Sequence, residues 1–169
     1  MAHRDFHDQA FDDATLTKLN IFEAYVGEWL PVFFANSQTW CQEVHLFDFF
    51  AGPGRDQKGV PGSPLRLMKQ LDSQSRSSRW SHLPVFAHFF DDDREKILRL
   101  KATLQEPGVT PRGVTLDVHP WDFETAWLQR RDLLRRNRSA KLVLIDQSGV
   151  RHVTDEIFGR TVQAPEGHE

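Results

Sequence analysis

Four aspartates stand where short apolar runs give out: Asp48, Asp91, Asp122 and Asp146. A carboxylate at the exit of an apolar strand needs a partner, because a buried unpaired charge is costly. That partner is either a cationic group of a ligand or the N–H groups of the acid's own turn, and on the residues alone both readings stand. The stretch His45-Leu-Phe-Asp-Phe-Phe-Ala-Gly-Pro-Gly-Arg55 is the most informative. It opens as a buried strand over Val44–Phe50 and ends in a turn in which Gly52 and Gly54 flank Pro53. Glycine reaches positive φ and puts no Cβ between the backbone and a ligand. A strand that ends in such a turn, with an acid inside it, suits a nucleotide-like cofactor.

The choice of cofactor follows from what is missing around the turn. No Gly-Lys-Ser/Thr follows Gly52 or Gly54, which disfavours a nucleoside triphosphate in a Walker loop. Gly52-Pro-Gly54 supplies only the first two glycines of a dinucleotide fingerprint, which weakens NAD. S-adenosylmethionine fits better. It needs no pyrophosphate cradle, but it does need an acid near its ammonium, an acid for the ribose diol and a polar group for the adenine amine.

These acids require elements that bring them to one edge. A helix is expected from Asp13 or Thr15, with Leu19, Phe22, Val26, Trp29 and Phe33 on one stripe and Pro31 kinking or ending it. After the glycine turn, Ser63-Pro64 reads as an N-cap and first helical residue. The serine-rich residues 72–82 read as an exposed connection. Pro84–Phe90 is the second strand, and Asp92 with Glu95 resembles a capping box for the helix that follows. Val114–His119 is the third strand and Lys141–Asp146 the fourth. The helix between them ends in Arg130, Arg131, Arg135, Arg136 and Arg138. Those arginines read as a solvated helix end favoured by the macrodipole, with phosphate contact as the alternative. Strands alternating with helices imply an α/β fold with a largely parallel, Rossmann-like sheet, and ligands bind at the carboxyl edge of such sheets.

Composition sets wider bounds. The 169 residues suit one domain, and the formal net charge of −3 gives no support for nucleic-acid binding by the chain as a whole. The single cysteine, Cys41, excludes an intrachain disulfide and a cysteine-rich zinc site. His3, Asp5, His7 and Asp8 read as a polar terminus rather than a metal site. No apolar run reaches membrane-spanning length and no signal-peptide core is present, so the expectation is a cytoplasmic protein.

Asp48-Phe-Phe-Ala-Gly-Pro-Gly54, followed by Gly59 and Gly62-Ser-Pro-Leu65, resembles the glycine motif of the three-Cys-motif partner (TcmP) family. Members of that family look like class I S-adenosylmethionine-dependent methyltransferases. Val143-Leu-Ile-Asp-Gln-Ser-Gly149 is similar to the family's fourth-strand segment, with Gln147 where the family has proline. The first helix, with Lys18 and Tyr25, resembles the family's N-terminal segment. The resemblance implies that Asp48, Gly52 and Gly54 bind the methionine part of S-adenosylmethionine and Asp91 the ribose. It places Asp122 and Phe123 against adenine, and Asp146 and Gln147 as catalytic residues that position the nucleophile. For each, a turn or cap role is the alternative. The resemblance also implies a three-Cys-motif protein as partner, and by weak analogy a nucleic-acid methyl acceptor.

The expected organisation is a polar terminus over 1–12, a methyltransferase-like domain over 13–160 and a tail over 161–169. Only strands one to four of the superfamily's seven are found. This motivates a second expectation, a truncated, catalytically inactive remnant that binds a partner. It also predicts self-association through the edge of strand four.

Overall fold

The computed structural model describes residues 10–34, 40–77, 80 and 82–146. Gln147, the tail over 161–169 and most of the polar terminus lie outside those residues. The elements run α1 (Asp13–Trp29), α2 (Pro31–Phe34), β1 (Glu43–Asp48), α3 (Ser63–Gln74), β2 (Val85–Phe90), α4 (Arg94–Leu104), β3 (Val114–His119), α5 (Phe123–Arg135) and β4 (Ser139–Leu144).

The four strands form one parallel sheet in the order β3-β2-β1-β4, a Rossmann-like topology. Parallel neighbours need long crossovers, and α3, α4 and α5 supply them. Alternation sorts the side chains onto two faces. Val44 and Leu46 of β1, Ala87 and Phe89 of β2, and Val118 of β3 pack with Val26, Leu65, Met68, Leu71, Ile97 and Leu100 of α1, α3 and α4. Phe47 and Phe90 point to the opposite face and join Phe49, Phe123, Ala126 and Trp127 in a smaller aromatic core under α5. No helix among the described residues is long and apolar enough to cross a membrane.

Local chemistry explains where the elements begin. Asp12 caps α1 by accepting the Thr15 N–H, and the helix gives way at Leu30 before Pro31 starts a separate short turn. Three expectations need correction. The cap of α3 is Gly62, with Ser63 already the first helical residue, because the Ser63 hydroxyl is committed to Asp48. The cap of α4 is Asp93, which accepts the N–H groups of Glu95 and Lys96, so Asp92 and Glu95 do not form a capping box. The basic end of α5 is also not simply solvated. Arg130 lies against the sheet with both ends of its guanidinium on Asp117, and Arg136 holds Glu43.

Candidate functional site

The turn after β1 is a closed loop. The Gly62 N–H donates to the Gly54 carbonyl at 2.8 Å, and Arg55 bridges Pro61 in antiparallel fashion. Asp56 holds the loop interior, accepting the N–H groups of Lys58 and Val60, and accepts Phe11 N–H from the segment before α1. Gly52 and Gly54 take positive φ, 62° and 87°. A Cβ on Gly54 would come 3.0 Å from Leu100 Cδ1 and 3.9 Å from Leu65 Cγ. That glycine therefore lets the turn lie flat on the hydrophobic core, with Leu100 filling the space a side chain would need.

Asp48 ends β1 and is buried. Its Oδ2 accepts the Ser63 hydroxyl at 2.6 Å and its Oδ1 accepts the Phe50 N–H at 3.0 Å. Burial pushes its pKa up to about 6. The Ser63 and Phe50 hydrogen bonds pull the other way, and the negative charges of Asp91 and Asp146 add to the rise. Asp91 ends the neighbouring strand. Its Oδ2 accepts the Gly52 N–H and its Oδ1 the Asp93 N–H, both at 3.0 Å. Burial raises its pKa against the pull of those N–H groups and of Lys96. Asp146 follows β4 and meets Lys18 Nζ of α1 at 3.5 Å. The parallel register of β2, β1 and β4 thus gathers Asp91, Asp48 and Asp146 on the carboxyl edge, within electrostatic reach of Asp48. Two of the three have carboxyls that resist ionisation, in both chiefly because burial disfavours the charged form.

The other two positions serve α5. Asp122 is its exposed N-cap, accepting the Thr125 N–H at 2.7 Å. The Phe123 ring is buried, stacked on Phe50 with centroids 5.8 Å apart and edge-on to Phe49 at 5.2 Å.

A second polar cluster, on the α5 face, has no counterpart in the sequence reading. His45 Nδ1 lies 2.9 Å from His88 Nε2, and His88 Nδ1 lies 2.7 Å from Asp117 Oδ2. Arg130 donates Nε and Nη2 to the two oxygens of Asp117 at 2.7 and 2.8 Å, and His119 Nε2 meets Oδ1 at 2.8 Å. The Arg130 guanidinium also lies 4.9 Å from the Trp121 ring centre. The available signal was a histidine at a face-matched position in each of two strands, beside Phe47 in β1 and between Phe86 and Phe90 in β2, with an acid in the third. No family model matches this chain, and no curated protein matches it.

Proposed function

We propose that this protein binds S-adenosylmethionine at the carboxyl edge of β1 and β2 and belongs functionally with the methyltransferase-like proteins of the three-Cys-motif partner family. One observation carries the reading. The buried Asp48 sits beside a positive-φ glycine turn, and burial, with a smaller addition from the charges of Asp91 and Asp146, raises its pKa. The residues fit the cofactor's chemistry, since its ammonium and sulfonium would offset that crowded negative charge. The sequence block from Asp48 to Leu65 supplies the resemblance.

In this reading Asp48 faces the methionine ammonium and keeps the Ser63 hydroxyl as its internal partner. Asp91 offers a second lone pair of a carboxylate oxygen to the ribose, while its bond to Gly52 fixes the turn. Asp146 stands at the exit of β4, where a nucleophile would approach. Bound S-adenosylmethionine supplies the electrophilic methyl group, and the chain's task is alignment. The acceptor class consistent with the resemblance is a nucleic acid, and the partner class a three-Cys-motif protein.

Calorimetry with S-adenosylmethionine and with its neutral-sulfur product tests the reading. Binding of both, lost in Asp48→Asn, is the expected result. Failure of both to bind the folded full-length chain would remove the cofactor assignment. It would favour the second reading, a partner-binding module without turnover, which draws on Ile21 and Tyr25 exposed one turn apart on α1.

A further inference from the structure

We propose that Glu43, His45, His88 and Asp117 form one hydrogen-bonded line that is a single proton short of closure at neutral pH. Acidification closes the line by placing a proton between Glu43 and His45, so the α5 side of the sheet is a pH-sensitive element. This inference does not depend on the cofactor.

The argument is a count of protons. The line has three gaps: Glu43 to His45, His45 to His88, and His88 to Asp117. Two neutral imidazoles bring only two N–H groups. Burial would push Asp117 up, but the hydrogen bonds from His88 and Arg130 outweigh it and hold the carboxyl well below its ordinary range. It is an acceptor, so the proton in the 2.7 Å gap belongs to His88 Nδ1. His88 Nε2 is then a lone pair, and the 2.9 Å contact requires the N–H of His45 to be on Nδ1. That leaves His45 Nε2 bare. It is buried, it has no hydrogen-bond partner, and it lies 3.3 Å from Glu43 Oε1. The distances bear out the count: the gap left without a proton is the longest of the three. The other tautomers would put two lone pairs together across 2.9 Å, or a lone pair against a carboxylate at 2.7 Å.

The groups around the line set when the third proton enters. Glu43 attracts it. Against it stand Arg136, whose Nη1 lies 3.1 Å from Glu43 Oε1, and Lys141 of β4, paired in register with His45. At the far end Arg130 of α5 and His119 of β3 share Asp117. Burial, then the neighbouring His88, push the His45 pKa down to about 4. The folded chain therefore takes this proton later than an unfolded one does, and the His45 contribution to stability falls away as pH drops from about 6.5. Once protonated, His45 donates at both ring nitrogens, and Glu43 is shared between imidazolium and guanidinium.

Nitrogen NMR of the histidine rings in the full chain, followed from neutral to acid pH, tests this without a substitution. The expected result is His45 and His88 both protonated at Nδ1 and bare at Nε2 at neutral pH, with His45 Nε2 gaining its proton below the ordinary histidine range. A doubly protonated His45, or a proton on its Nε2, at neutral pH would overturn the proposal. Glu43→Gln gives a second measurement, because an amide N–H can fill the third gap without ionisation. The melting temperature of that variant should hold at neutral pH and fall further than the wild type's on acidification, because without the Glu43 charge the folded chain resists the His45 proton even more. An unchanged His45 titration in Glu43→Gln would equally overturn it.

Discussion

The Gly52 N–H donates to Asp91 Oδ2 across 3.0 Å, so the glycine turn that leaves β1 is fastened to the carboxylate that ends β2. The Ala51 N–H reaches the Phe90 carbonyl at 2.9 Å in the same region. The turn is thus held by the neighbouring strand as well as by its own residues. Any ligand at this edge meets a surface whose shape depends on an acid that is also a structural acceptor.

Asp91→Ala accordingly has two consequences. It leaves the N–H groups of Gly52 and Asp93 without their acceptor, at a cost of about 1–3 kcal/mol. It also removes the oxygen assigned to the ribose. Asp91→Asn keeps an acceptor for one of the two N–H groups and should recover part of the stability while still weakening cofactor binding. Denaturant unfolding and calorimetry on both variants separate the two roles. Equal stability of wild type and Asp91→Ala would show that the turn does not rely on this carboxylate.

Gly54→Ala should act on the fold before it acts on any ligand. Its φ of 87° is strained for an alanine, and the added Cβ would press on Leu100 at 3.0 Å. A loss of roughly 1–3 kcal/mol is expected from the backbone alone, with Leu100→Ala in the same chain relieving the contact but not the strain. The sequence suggests that a side chain here would stand between the backbone and a ligand; the structure sets the added Cβ against Leu100 in the core beneath the turn. Thermal melts of the single and double variants check the order of effects.

Strand identity was legible because each strand is a short apolar run closed by Gly, Pro or Asp. The parallel sheet was legible because helices intervene between all of the strands, whereas that alternation does not fix the order β3-β2-β1-β4. The carboxyl-edge acids were legible for the same reason: a strand end is visible in sequence, and parallel strands share an edge. Asp93 was missed as the α4 cap because three consecutive aspartates, Asp91 to Asp93, offer the same side chain, and only backbone conformation selects among them. Arg130 was read as solvent-facing because its partner, Asp117, lies on a different element, and a one-dimensional pattern shows only charges near in sequence. His45 and His88 were hidden likewise. Each looks like an isolated interruption of an apolar strand until the register brings β1 beside β2.

Two buried groups of opposite kind should pull the acid response of this protein in opposite directions. Asp48 has its pKa raised from 3.8 to about 6, so the folded chain holds a proton that the unfolded chain has lost. Its contribution is fully present below about pH 4 and is lost as pH rises through 6. His45 is lowered from 6.5 to about 4, so its contribution is present above about pH 6.5 and is lost as pH falls through 4. Across the shared window the two slopes oppose each other. Asp48→Asn retains an acceptor for Ser63 or Phe50 but cannot titrate. It should raise stability at neutral pH by about 3 kcal/mol, the scale of a pKa displaced by this much, and expose the His45 slope as a melting temperature that climbs from pH 4 to 6.5. His45→Gln should expose the reverse slope, highest at the acid end. Melting curves for both variants and the wild type, recorded at constant ionic strength, decide the matter. A wild type that already climbs as steeply as Asp48→Asn would mean that Asp48 ionises at its ordinary pKa and that its burial does not disfavour the charged form.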